Sequence, residues 1–220
     1  MKKILAALLA LISMMTASAF AEDKLSIVCT TFPQYDWVRQ ILGAHADDVE
    51  LTLLLDNGID LHNYQPTAAD IAKISSSDLF IYVGGESDRW VADALQEAVN
   101  KDMVVLNLLD VLGDRVEEEK IVEGMEADEE KGEEDGPEYD EHVWLSLKNA
   151  EVLCSAISDA LQQIDPANKD IYAANAAAYT QKLAALDAKY QAAVDTAARK
   201  TILFGDRFPF RYLADDYGLN

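Results

Sequence analysis

The stretch that decides the fold is VELTLLLDNGIDLHNYQPTAADIAKI, residues 49–74. It begins with an almost continuous apolar run, 49–55, and ends with a segment of helical period, 68–74. Between them lies a polar loop that contains His62, one of three histidines in the chain. A short apolar run, a loop and a helical segment in this order are typical of a parallel sheet covered by helices.

The same alternation recurs along the chain and predicts an α/β fold. Thr67 with Asp70 three residues later is the pattern of a helix start, and Gly43 is a helix stop signal. The predicted strands are 25–31, 49–55, 79–83, 103–108 and 201–204, and the predicted helices are 34–42, 68–74, 89–99 and 150–164.

A single long helix is predicted after these elements. Residues 167–200 contain no Gly or Pro, and large side chains recur every three or four residues. These are Tyr172, Asn175, Tyr179, Leu183, Leu186, Tyr190 and Val194. Such a helix is roughly 45–50 Å long, more than the width of one small lobe. We therefore expect an N-terminal α/β lobe at 22–165, a rigid connecting helix at 166–200, and at 201–220 the start of a second lobe that is truncated in this sequence.

The amino terminus predicts export. MKK is followed by the apolar run 4–15 and by TASAFA, whose small residues suit signal peptidase, so residues 1–21 resemble a cleaved signal peptide. No later run approaches the roughly 20 apolar residues of a membrane span. We expect a periplasmic protein whose mature chain begins at Glu22.

Charge narrows the possible partners. The formal net charge is -22, and residues 114–141 contain 15 acidic and 3 basic side chains, which amounts to -12. Binding to nucleic acid or to an anionic membrane is disfavoured, and cations are the natural partners. The acidic loop at 113–141 is either a solvated linker or a weak collector of cations. It lacks the ligand spacing of an EF-hand.

The two cysteines, Cys29 and Cys154, leave two possibilities open. An oxidising compartment permits a disulfide between them. Both also lie in apolar patterns, which favours two separate buried thiols.

Motifs of common enzymes are absent from the sequence. It contains no phosphate-binding G-x-x-x-x-G-K-[ST] or G-x-G-x-x-G pattern and no G-x-S-x-G elbow. His62 follows a predicted strand at the edge where open α/β sheets bind ligands. His142 follows the acidic loop and precedes the apolar Val143 and Trp144, which makes it a candidate ligand for a borderline metal. His45 lies in a polar turn and is expected at the surface.

Several motifs together resemble a known family. TTFPQYDWV, GIDLHNYQPTAADI, DLFIYVGGESDRWV, DEHVWLSLKNA and YLADDYGL are similar, in order and spacing, to segments of the cluster A-I solute-binding proteins of zinc and manganese ABC importers, in particular the zinc-uptake branch. The resemblance covers about residues 24–220. It implies two α/β lobes joined by a helix, with one metal ion in the cleft between them. It also implies that His62 is the first metal ligand and His142 the second.

The third ligand of that family does not align cleanly. The family usually has a histidine directly after the strand that follows the connecting helix, whereas this chain reads TILFGDRFPFRYLADDYGL. An alignment without a gap places Arg207 there, and one inserted residue places Asp206 there. We favour Asp206, because a carboxylate can bind the metal and arginine cannot. An Asp that pairs with Arg207 or caps the next helix is the alternative, and the usual fourth ligand would lie beyond Asn220.

The resemblance implies a monomeric protein that captures Zn²⁺ and delivers it to an ABC permease of the inner membrane, and not an enzyme. Replacing an imidazole by a carboxylate favours Mn²⁺ more than the usual ligand set does, so a manganese-binding protein is the alternative within the family. Two other classes remain open: a zinc hydrolase, which requires an open coordination position, and an acidic cation buffer or adhesin.

Overall fold

The computed structural model describes residues 24–119, 138–205 and 208–220. Its centre is a four-stranded sheet with the strand order β2-β1-β3-β4, in which every pairing is parallel. The strands are β1 (Ser26–Cys29), β2 (Glu50–Leu53), β3 (Leu79–Tyr82) and β4 (Val104–Asn107). The predicted α/β class with a parallel sheet is confirmed.

The described residues form seven α-helices around this sheet. They are α1 (Phe32–Leu42), α2 (Ala68–Ser76), α3 (Val91–Gln96), α4 (Leu108–Leu112), α5 (Leu147–Ile164), α6 (Lys169–Asp195) and α7 (Arg211–Tyr217). Short 3₁₀ turns lie at Gly43–Asp48, Leu61–Asn63, Gly113–Arg115 and Val143–Leu145. The sequence did not predict α4, although Asn107 marks its start: the Asn107 Oδ1 accepts hydrogen bonds from the N–H groups of Leu109 and Asp110.

Helices cover both faces of the sheet, which explains why its strands are nearly continuous apolar runs. Successive side chains of a strand point to opposite faces. Ile27 and Ile81 are buried in the larger core, with side chains of α1, α5 and α6. Val28 and Phe80 are buried in a second core on the other face, against side chains of α2 and α3.

Two of the predicted helix signals have the expected geometry. The Thr67 Oγ1 accepts from the Asp70 N–H at 3.2 Å, and the Asp70 Oδ2 accepts from the Thr67 N–H at 2.9 Å, so the start of α2 is capped reciprocally. Gly43 follows α1 with a φ of 58°. A Cβ at Gly43 would lie 2.6 Å from the Asn175 Nδ2, which donates to the Ile41 carbonyl at 2.9 Å. The glycine therefore ends α1 and also admits α6 against it.

The long helix α6 has 27 residues and is about 40 Å long. Its first half packs on the sheet-containing lobe, where Tyr172 is buried in the main core. Its second half contacts α7, since the Tyr217 hydroxyl donates to Asp187 at 2.8 Å and the rings of Tyr190 and Tyr217 stack. Leu186 and Tyr190 in this half are 41% and 44% exposed, whereas Leu183 is buried in the main core. The second half of α6 is therefore only partly covered by the described residues.

The predicted strand at 201–204 is not formed. Its only described backbone partner is Asn220: the Ile202 N–H donates to the Asn220 carbonyl at 2.7 Å, and the Asn220 N–H donates to the Lys200 carbonyl at 2.6 Å. One paired residue does not make a ladder. The prediction from β-branched and aromatic residues was therefore wrong for this structure.

The cysteines are two separate thiols, not a disulfide. Cys29 in β1 and Cys154 in α5 are both free and buried in the main core. Burial, together with the nearby carboxylates of Asp36 and Glu151, raises the pKa of the Cys154 thiol to about 12, and burial also raises the pKa of the Cys29 thiol. Both thiols are therefore uncharged and unreactive at neutral pH.

None of the helices in the described ranges is long and apolar enough to span a bilayer. The predicted signal peptide, 1–21, lies outside the described residues.

Candidate metal centre

His62 lies in the loop after β2, at the carboxyl edge of the sheet. The Asp60 Oδ1 accepts from the His62 N–H at 2.9 Å and so begins the 3₁₀ turn Leu61–Asn63. Leu61 is buried in the main core and anchors the turn there. The His62 side chain is 31% exposed, and its Nδ1 lies 3.0 Å from the Ser87 Oγ. The imidazole is thus held through Nδ1 and remains accessible.

His142 lies directly before the 3₁₀ turn Val143–Leu145. Val143 is fully buried, and the His142 carbonyl accepts from the Leu145 N–H at 3.0 Å, which fixes the backbone. Trp144 contacts the imidazole with a ring-centroid distance of 5.4 Å. The His142 side chain is 20% exposed. Apolar residues after the histidine therefore hold it against the lobe, as the sequence indicated.

The fold brings these two imidazoles together. Their ring centroids are 5.3 Å apart and the rings are tilted by 55°. Since metal–imidazole bonds are about 2 Å long, rings at this separation can each place a nitrogen on one ion. A cleft of about 190 Å³ opens beside them. It is lined by His62, Tyr64, Gln65, Glu86, Ser87, Glu119, Glu138, Tyr139 and Glu141.

Two carboxylates that the sequence analysis did not single out contact the imidazoles. The Asp140 Oδ1 lies 2.9 Å from the His142 Nδ1 and also accepts from the His142 backbone N–H at 2.8 Å. The Glu141 Oε1 accepts from the Ser87 N–H at 2.8 Å, and its Oε2 lies 3.7 Å from the His62 Nδ1. Both acidic residues are only 4% exposed.

The loop after β3 is shaped to receive Glu141. Gly84 and Gly85 both have positive φ, 96° and 81°, in a region that favours glycine. A Cβ at Gly85 would lie 2.4 Å from the Glu141 Oε1. The Asp88 Oδ2 in the same loop accepts from the N–H groups of Val83 at 2.9 Å and Gly84 at 3.0 Å.

Asp88 is a buried carboxyl group with an altered ionisation. Its pKa is raised to about 6. Burial is the largest cause, and the charge of Glu141 adds to it, whereas the hydrogen bonds from the Gly84 and Val83 N–H groups lower the pKa. The Asp88 carboxyl is therefore partly protonated near pH 6.

The ends of the acidic loop are fixed on the lobe near His142. Glu118 and Tyr139 form an antiparallel bridge, and residues 120–137 between them lie outside the described residues. The Tyr212 hydroxyl of α7 donates to the Asp140 carbonyl at 2.8 Å and accepts from the Glu117 N–H at 3.1 Å. One buried tyrosine thus joins α7, the loop ends and the segment that carries His142.

Comparison with models of known protein families shows the family of this chain. The model of the family described as zinc-uptake complex component A, periplasmic (ZnuA), matches residues 27–220. The chain belongs to the ZnuA family.

ZnuA-family relatives are similar along nearly the whole chain. The zinc-binding protein AdcA of Streptococcus pyogenes serotype M3 is 30% identical over 100% of this chain and 44% of its own length. The high-affinity zinc uptake system protein ZnuA of Bacillus subtilis is 32% identical over 90% of this chain and 60% of its own length. The Zn(II)-bound ZnuA-like domain of Streptococcus pneumoniae AdcA has a TM-score of 0.69 and 33% identity over 89% of this chain and 65% of that domain. The chain therefore spans about half the length of these curated relatives.

The structure describes some of the histidine and aspartate residues considered as ligands in the sequence, but not all of them. The structure brings His62 and His142 together, whereas His45 lies in the turn after α1, with its Nδ1 3.3 Å from Asp48. Asp206 lies outside the described residues, as does Arg207. Within the ranges that are described, no group of three or more His, Cys, Asp or Glu side chains could hold a metal ion. The assignment of all three ligands remains a prediction.

Proposed function

We propose that this chain captures Zn²⁺ as its transported cargo, with His62 and His142 as two of the ligands. The observation that carries the proposal is the 5.3 Å separation of two imidazoles that come from distant parts of the sequence. The His62 ring borders a cleft lined with carboxylates, which attracts cations and disfavours anions. Membership of the ZnuA family and the zinc named for its relatives give further support.

Imidazole is suited to this cargo. Neutral imidazole nitrogen is a preferred ligand for zinc, and a structural or transported ion requires about four ligands in total. We assign the third position to Asp206, because a carboxylate supplies an oxygen ligand without a further histidine. Metal binding to neutral imidazole competes with protons, so capture weakens as the pH falls.

Location and partners follow from the same proposal. Residues 1–21 direct export, and the mature protein binds the ion in the periplasm as a monomer. It then delivers the ion to an ABC permease in the inner membrane. In this role the protein binds and releases the ion without chemical conversion of any substrate.

The direct test is a titration of the metal-free protein with Zn²⁺, followed by native mass spectrometry. We expect one tightly held ion, and a loss of affinity in both His62→Ala and His142→Ala that exceeds the roughly 10–100-fold effect of losing a group outside the coordination shell. His45→Ala is the matched control, since His45 contacts Asp48 and not the cleft. Zinc retention that is equal in all three variants would contradict the two-histidine site.

Three further experiments separate the alternatives. Asp206→Ala should weaken binding as strongly as a histidine variant if Asp206 is a ligand. A parallel titration with Mn²⁺ tests the metal, and tighter retention of manganese would reassign the cargo. Deletion of residues 120–137 should leave the tight ion in place. A protein that acts only as an acidic cation buffer would lose its binding in that deletion.

A further inference from the structure

Asp140 and Glu141 are adjacent buried carboxylates whose contacts go to different histidines. Such side chains are seldom buried without charged or hydrogen-bonding partners. Both are 4% exposed in a chain that carries a net charge of -22 and has abundant acidic side chains at its surface. Their burial therefore requires a specific reason at this site.

The contacts of Asp140 determine the tautomer of His142. A carboxylate oxygen only accepts hydrogen bonds, so the His142 Nδ1 at 2.9 Å must carry a hydrogen. The same Asp140 Oδ1 also accepts from the His142 backbone N–H at 2.8 Å, which fixes the ring relative to its own backbone. A neutral imidazole protonated at Nδ1 has its free electron pair on Nε2, and this is the atom available to a metal ion.

Glu141 has the corresponding place beside His62. Its Oε1 is occupied by the Ser87 N–H at 2.8 Å. Its buried Oε2 has no hydrogen-bond partner among the described residues and lies 3.7 Å from the His62 Nδ1. The Ser87 Oγ lies 3.0 Å from the same Nδ1 and can accept a hydrogen bond from it. Two oxygen atoms therefore lie near the His62 Nδ1, and one of them, Oε2, has no hydrogen-bond partner among the described residues.

The backbone makes room for this carboxylate. Gly85 has a φ of 81°, and a Cβ there would lie 2.4 Å from the Glu141 Oε1. Burying a carboxylate is costly. Stability alone therefore does not explain why the backbone at Gly85 leaves room for the Glu141 carboxylate.

We propose that Asp140 and Glu141 are positioning residues that keep the hydrogens of His142 and His62 on Nδ1, so that both Nε2 atoms are presented to the cargo ion. This inference depends on the proposed two-histidine site. Neither carboxylate is a metal ligand in it. Histidine ligands commonly donate their second N–H to such a carboxylate, and losing that partner costs roughly 10–100-fold in metal affinity.

The test is the histidine tautomer, read from long-range ¹H–¹⁵N NMR correlations of the metal-free protein at pH 8. We expect Nδ1–H for His62 and His142 in the unaltered protein. Glu141→Gln keeps the carbonyl contact to the Ser87 N–H but turns an NH₂ group toward the His62 Nδ1. Two donors then oppose each other, so His62 should change to the Nε2–H tautomer while His142 stays unchanged. Zinc affinity should fall about 10–100-fold.

Asp140→Asn gives the opposite pattern at His142. Both hydrogen bonds end on a single oxygen, Oδ1, and an amide oxygen can accept both. The tautomer should persist, and the loss of affinity should be smaller than in Glu141→Gln. Glu50→Gln, at the exposed start of β2, is the matched control and should leave tautomers and affinity unchanged.

Three results would overturn the proposal. One is a His62 Nε2–H tautomer in the unaltered protein, which needs no variant to fold. Another is Glu141→Gln with an unchanged tautomer and zinc affinity within about threefold of the control. The third is zinc X-ray absorption that shows one oxygen ligand fewer in Glu141→Gln, since Glu141 would then be a ligand. Failure of the two-histidine site is seen separately, as zinc binding that survives His62→Ala.

Discussion

Asp88→Asn should change how the stability of the protein depends on pH. The Asp88 carboxyl is buried after β3, and its pKa is raised from the ordinary 3.8 to about 6. The folded state therefore holds this proton more tightly than the unfolded state does. Protonation stabilises the fold at low pH, and this contribution is lost as the pH rises through about 6.

The magnitude follows from the difference between the two pKa values. About two pH units at about 1.4 kcal/mol each correspond to about 3 kcal/mol across the full titration. Between pH 5 and pH 7.5, above the isoelectric region, the contribution changes by about 1.4 kcal/mol. An asparagine at this position cannot ionise, so its contribution is independent of pH.

The assay is urea unfolding of metal-free protein at several values between pH 5 and pH 7.5. We expect the difference in unfolding free energy, Asp88→Asn minus unaltered protein, to rise by about 1.4 kcal/mol over that range, whatever its starting value. The comparison removes the many other carboxyl groups, which titrate in both proteins. Asp93→Asn, on the neighbouring helix α3, is the matched control for the loss of one carboxylate. Parallel stability curves for Asp88→Asn would refute the argument that burial has raised this pKa.

Three further outcomes are expected from the same structure. Gly85→Ala should cost several kcal/mol in urea unfolding, from the positive φ and the contact with Glu141, whereas Gly58→Ala, with a similar φ but nothing within 4 Å of a Cβ, should cost only about 1–2 kcal/mol. Tyr212→Phe should cost about 1–3 kcal/mol, because two hydrogen bonds of a buried hydroxyl are lost, and faster amide exchange at the ends of the acidic loop would locate the effect. Zinc at about 100 times its dissociation constant should raise the unfolding free energy by about 2.7 kcal/mol, reversibly on chelation, and an equal gain in His62→Ala would contradict the site.

Much of the fold can be predicted from residues that are close together in the sequence. The apolar run of β2 and the capping pair Thr67 and Asp70 are each visible in the sequence, because the residue types of a strand and the hydrogen bonds of a helix start involve a few consecutive residues. The strand predicted at 201–204 failed for the opposite reason. Its residue types favour a strand, but a strand needs a partner, and Asn220 is the only described one.

The residues of the candidate centre also differ in whether the sequence could predict them. The order and spacing of motifs pointed to His62 and His142, and the structure places their rings 5.3 Å apart. Asp140 and Glu141 carried no comparable signal, because they end a segment in which acidic residues are the rule. What distinguishes them is burial beside the histidines, and that depends on the contact of Glu141 with Ser87 across the cleft. In this acidic chain, the carboxylates that mark the site are the buried ones. Composition does not show burial, so it cannot distinguish a residue that positions a ligand from the charged surface residues around it.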